Sequence, residues 1–205
     1  MMNKSSLILL LFSPFLLLAQ EQDFQLWTKV GASHSLNKTV KLSFDQGYRL
    51  RENAALTDAL FSNLSIRYKI NKSWSAAVGY RYINDFDYAM QMEVKHRLFA
   101  DLNYRKKHKR WEFKNRLRYQ LQSEVSSLRD KVFATYNVRK TPLEPFTAFE
   151  VFYRKQSLNK WRYTLGASYP LSKDINFSLY YRLQQAINSN SPQLYILGVG
   201  FDYDF

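Results

Sequence analysis

The chain has 205 residues, enough for one domain of ordinary size, and contains no cysteine, which excludes disulfides, thiol catalysis and thiolate metal sites. Hydrophobic residues make up 46% of it, yet the mean hydropathy is −0.43, so a bundle of membrane-spanning helices is excluded as well. The formal net charge of +13 would suggest a nucleic-acid partner in a cytosolic protein, but the first residues send the chain elsewhere.

Those residues read "MMNKSSLILLLFSPFLLLAQEQDF". Lys4 supplies a basic start, Leu7 to Leu18 is almost wholly apolar, Ala19 is small, and polar residues follow. This is the pattern of a secretory signal peptide over residues 1–19, cleaved near Ala19, which leaves residues 20–205 as one exported domain. Export takes nucleic acid out of reach, so the positive charge has to be explained by where it sits.

The exported part then alternates apolar and polar residues in run after run, the signature of half-buried strands. After a less regular run at "DFQLWTKVGAS", Val40, Leu42, Phe44, Tyr48 and Leu50 oppose Lys41, Ser43, Asp45, Arg49 and Arg51. Leu64, Ile66 and Tyr68 oppose Ser65, Arg67 and Lys69; Trp74, Val78, Tyr80 and Tyr82 oppose Gly79 and Arg81. Val94, Leu98 and Leu102 oppose Glu93, Lys95, Arg97 and Asp101; Trp111, Phe113, Leu117 and Tyr119 oppose Glu112, Lys114, Arg116 and Arg118. The same alternation sets Val132 and Tyr136 against Lys131 and Arg139, Phe149 and Val151 against Glu150 and Arg154, Trp161, Tyr163 and Leu165 against Arg162, and Phe177, Leu179 and Tyr181 against Ser178 and Arg182. The chain closes on "YILGVGFDYDF", with Leu197, Val199, Phe201, Tyr203 and Phe205 on one face.

Short basic connectors such as "LNKT", "INKS", "KKHKR" and "PLSKD" alternate with longer mixed ones such as "NDFDYAMQ", "SEVSSLRD" and "INSNSPQ". An all-β, up-and-down antiparallel transmembrane barrel has this grammar, with short turns at one rim and longer loops at the other. Runs long enough to cross a bilayer when tilted, and Trp or Tyr at the ends of the apolar faces, favour a membrane barrel over a soluble one. Eleven runs can be counted. Bacterial barrels normally have an even number, so ten or twelve strands are expected.

The last strand resembles the assembly signal of bacterial outer-membrane barrels, carried here by Phe201, Tyr203 and Phe205. Its physical basis is that the final strand must close against the first, because an open edge in lipid leaves backbone groups unpaired. The segments "EVKHRLFADL", "RWEFKNRLRYQ", "FTAFEVFY" and "WRYTLGASYPLSKDINFSLYYRLQ", with the closing "LGVGFDYDF", resemble the family called domain of unknown function 2490. That resemblance implies an outer-membrane β-barrel of Gram-negative bacteria, and the Ala-Gln end of the leader resembles the Bacteroidetes style. Glu93, His96, Arg97, Arg116, Arg118 and Glu150 stand where the family pattern places charged residues. The family supplies a location and no mechanism.

No motif points to catalysis, a cofactor or a metal. His34 and His108 fall in connectors. His96 lies on the apolar parity and would need a hydroxyl nucleophile within hydrogen-bond reach, but its expected neighbours are Tyr119 or Leu121 on one side and Trp74 to Tyr82 on the other, with no Ser. The pairs Asp85/Asp87 and Asp202/Asp204 are isolated. The inward parity is the informative place: Glu93, Arg97, Arg116, Arg118, Glu150, Arg162 and Arg182 share it. The first expectation is an Arg–carboxylate network that fills a narrow bore. The second is a cationic pore or pocket for small anionic solutes. The expected partners are outer-membrane lipids and the barrel-assembly machinery.

Overall fold

Period-two alternation becomes strand wherever it occurs, and the strands close on themselves. The structure, a computed structural model, describes residues 23–122, 125–155, 157–187 and 193–205. The expected signal peptide lies outside the described residues. The strands are β1 (Phe24–Ser35), β2 (Val40–Arg51), β3 (Leu56–Lys69), β4 (Trp74–Phe86), β5 (Met92–His108), β6 (Trp111–Gln122), β7 (Val125–Tyr136), β8 (Glu144–Arg154), β9 (Ser157–Pro170), β10 (Ile175–Ala186) and β11 (Leu194–Asp204). Each pairs with its neighbours in sequence, and β1 pairs with β11 to complete a barrel.

The even strand number expected from the sequence is corrected: the irregular first run is a full strand and there is no twelfth among the described residues. An odd count has a geometric consequence. The sequential pairs are antiparallel, so β1 and β11 run in the same direction and the seam is parallel, in register from Phe24↔Tyr195 to Ser33↔Asp204. Both strands therefore begin at one rim, called upper here, and end at the other, the lower. Phe205 fastens the lower end of the seam. Its backbone N–H donates to the Ser33 carbonyl at 2.9 Å, and its ring lies 4.8 Å from that of His34.

The expected difference in connector length does not hold. Among the described residues the lower rim carries 36–39, 70–73, 109–110, 137–143 and 171–174, and the upper rim carries 52–55 and 87–91, so the longest described connection is on the lower rim. The stretches "SEVSSLRD" and "KQSLNK", whose polar side chains suggest loops, are mostly strand, because pairing satisfies their backbone and their side chains face the interior or the rim. Two histidines move for the same reason: His34 belongs to β1 and His108 to β5. Arg139 leaves the wall for the connection 137–143.

The outer wall displays the apolar parity. Phe44, Leu64, Val78, Leu98, Leu117, Phe149, Leu165 and Phe201 are all exposed on it. A soluble monomer does not carry an apolar belt of that extent. The interior carries the polar parity together with aromatic rings. Facing Phe61 across the strand pair is Gly47, where a side chain would overlap the ring. Gly79 seats Phe99 in the same way, and Gly198 seats Tyr180. Among the described residues two ladders are interrupted: β2–β3 between Arg49 and Leu50, and β8–β9 between Phe152 and Tyr153.

Candidate functional site

The barrel encloses a cavity of about 770 Å³. Thirteen Lys and Arg face five Asp and Glu around it. The charges are arranged differently on the two walls.

On one wall, β6 to β9 bring guanidinium groups onto carboxylates. Glu150, 4% exposed, accepts from Arg116 Nη2 at 3.1 Å and from Arg129 Nη2 at 2.6 Å, and Arg162 Nη1 stands 3.6 Å from its other oxygen. Arg118 grips Asp101 with two parallel hydrogen bonds of 2.6 and 2.7 Å. Such two-pronged charge-assisted pairs fix geometry as well as charge. Among the residues expected to share a network, Arg116, Glu150 and Arg162 do meet. Arg118 joins Asp101 instead. Glu93 lies apart near the upper rim, 2.9 Å from Lys95.

On the opposite wall Arg51 Nη1 stands 3.7 Å from Asp58, but Arg49, Arg81, Arg97 and Arg182 have no carboxylate partner among the described residues. Arg97 donates to the Gln122 side chain and Arg182 donates to Thr164 Oγ1 at 3.0 Å. Arg81 reaches Asn63 Oδ1 at 3.4 Å, and the buried Arg49 Nε has no hydrogen-bond partner among the described residues. Aromatic rings hold these groups in place. The Arg49 guanidinium carbon lies 4.0 Å from the Trp27 ring centre and 5.0 Å from that of Phe61; Arg81 lies 4.4 Å from Phe61, and Arg182 lies 5.1 Å from Trp27 and 4.7 Å from Tyr180. Stacking on a ring face orients a cation without cancelling its charge.

Below this level the cavity meets a second one of about 510 Å³ at the lower rim, and Lys114, Arg116, Lys131 and Phe133 line both. Nine Lys and Arg surround this vestibule and no carboxylate does among the described residues. Carboxylates stand close by: Lys41 Nζ lies 2.6 Å from Asp204, and Lys114 Nζ lies 2.5 Å from Glu112, which lines the larger cavity.

Sequence parity placed the arginines of β2, β4, β5, β6, β9 and β10 inside, but missed Arg129, which lay in a stretch read as a loop. The alternation Ser127, Arg129, Lys131, Phe133 was the available signal. It also missed Trp27, Phe61 and Phe152, since it offers no way to tell an inward aromatic from an outward one once the strand is irregular. His96 is on the outer wall, opposite Tyr82, with Nδ1 2.5 Å from the Tyr80 hydroxyl. Among the described residues no group of three His, Asp or Glu is arranged to hold a metal.

A family model described as "Protein of unknown function (DUF2490)" matches residues 24–195. Among solved structures, one described as "NanC porin structure in rhombohedral crystal form" superposes with a TM-score of 0.51 at 12% identity, covering 78% of this chain and 86% of that one. At that identity the likeness is one of fold. No protein with a curated description matches the chain.

Proposed function

This chain belongs to the DUF2490 family, a porin-like barrel by its fold, and we propose that it is an outer-membrane channel that prefers small anions. One observation carries the preference: a cavity with thirteen cationic and five acidic side chains opens into a vestibule lined by nine cations, three of them shared with the cavity, and by no carboxylate among the described residues. Within low-dielectric walls such a surplus concentrates anions and repels cations. The apolar outer wall supports the membrane location, because that belt can be covered by lipid chains while the closed ladder satisfies the backbone. In this reading the leader is removed near Ala19, the barrel-assembly machinery inserts the domain, and lipids cover the belt. On this reading the channel performs no chemistry: His96 faces outward, with the Tyr80 hydroxyl as its hydrogen-bond partner and the Tyr82 ring beside it among the described residues.

Purified, refolded barrel in planar bilayers tests this. Under a potassium chloride gradient the reversal potential should take the sign of chloride permeation. A cation-selective current, or no current from barrels that migrate as folded, defeats the proposal.

A further inference from the structure

The two walls of the lumen differ in a way that anion preference alone does not require. A simple electropositive lining could spread its charge evenly. Here the arginines of β6 to β9 are paired with Glu150 and Asp101, whereas Arg49, Arg81 and Arg182 make no ion pair among the described residues and share two aromatic supports, Trp27 being shared with Arg162 as well. We propose that Arg49, Arg81 and Arg182, seated on Trp27 and Phe61 in the upper half of the lumen, form a binding site for a compact, multiply charged oxyanion of the phosphate class. The proposal rests on the lumen being open to anions, and it adds a place where one kind of anion stops.

Three features carry it. First, the donors are free. Among the described residues Arg49 has a buried Nε with no partner, and Arg81 and Arg182 each give one N–H to a neutral oxygen and use no other donor of the fork. Buried guanidinium groups without acceptors are costly, and an oxyanion would satisfy them. Second, the groups converge. Arg49 and Arg81 lie within 5.0 Å of the centre of the Phe61 ring, and Arg49 and Arg182 within 5.1 Å of the centre of Trp27. Third, the aromatic rings are already used. Trp27 is 7% exposed and Phe61 9%, their faces being covered by guanidinium groups. Neither of these two rings offers an open face for a flat or cyclic ligand, so the site recognises charge and oxygen geometry in a small group. The β2–β3 ladder breaks between Arg49 and Leu50, a local irregularity of the kind that re-aims a side chain.

The test uses the full barrel in planar bilayers, with inorganic phosphate as probe, acetate as monovalent control and glycerol phosphate to separate a free ion from a phosphate ester. All are compared at equal ionic strength. Phosphate should block the chloride current at a concentration at least tenfold below acetate. The double variant Arg49→Gln/Arg81→Gln should raise that concentration at least tenfold, and Lys173→Gln, on a lower-rim turn, should leave it within twofold. Folding of each variant is checked by its heat-modifiable migration. Block by phosphate and not by glycerol phosphate assigns the site to the free ion; block by both assigns it to a terminal phosphate group. A chloride-selective channel on which phosphate acts no better than acetate overturns the site and leaves the channel standing. If the barrel proves not to pass anions, phosphate calorimetry of the folded barrel in detergent decides separately: heat that vanishes in the double variant supports the site, and absence of heat from the unaltered barrel overturns it.

Discussion

Glu150 is the single carboxylate on which Arg116, Arg129 and Arg162 converge. Removing one partner of a buried ionic cluster leaves the others uncompensated, at a cost of several kcal/mol. Glu150→Gln should therefore destabilise the barrel by about 3 kcal/mol, read as a lower urea midpoint for unfolding from lipid vesicles. The same change adds a net positive charge to the lumen, so the reversal potential should move further toward the chloride limit. An unchanged midpoint would mean that the cluster is solvated and contributes little. Glu150 and its guanidinium partners on β6 and β9 were legible from parity alone, because charged residues on the inner face of a strand have few places to go. What parity could not show was which arginine meets which carboxylate. That depends on strand stagger, which sets Arg118 directly opposite Asp101 and leaves Arg49 facing Ala59.

Strand pairs impose a second order on the interior. Gly47 faces Phe61, Gly79 faces Phe99 and Gly198 faces Tyr180, so each inward ring lies over a neighbour that has no side chain. At the first pair the ring also carries Arg49 and Arg81. Gly47→Ala should push Phe61 off its seat, costing about 1–3 kcal/mol as overpacking does, and should weaken phosphate block without changing the sign of anion preference. The strands themselves were legible because alternation is a strong local signal. Connector lengths were not: serines and charged residues at "SEVSSLRD" look like turn chemistry, yet a barrel interior welcomes them in strand. At the other end of the ladder, Phe205 lies against β1, with its carbonyl oxygen 2.6 Å from His34 Nδ1 and its ring 5.4 Å from that of Tyr203. Deleting Phe205 removes one clasp from an already continuous seam. It should lower the yield of inserted barrel in cells while shifting the unfolding midpoint of the assembled fraction little; normal insertion would count against an assembly role.

At the scale of the whole barrel, strand parity decides sidedness. Had the count been even, the first strand would have started at the rim where the last one ends. With eleven strands and a parallel seam, Asp23 stands at the upper rim, where the Tyr195 N–H donates to its carbonyl at 3.2 Å and the Ala54 N–H donates to that of Phe24. The lower-rim turns carry Lys38, Lys72, Lys109, Lys140 and Lys173, an arrangement suited to anionic headgroups at about 1 kcal/mol per cation near the charged surface. If the lower rim faces the periplasm, Asp23 and Ala89 face outward together and Lys173 faces inward. Single cysteines at the three positions distinguish the alternatives, since the natural chain has none. On intact cells a membrane-impermeant maleimide should label Asp23→Cys and Ala89→Cys, and should reach Lys173→Cys only after the outer membrane is opened. Labelling of Asp23→Cys with the pattern of Lys173→Cys would overturn the parallel seam. Labelling of Lys173→Cys alone on intact cells would keep the seam and invert the barrel, placing the carboxylate-free vestibule at the cell surface.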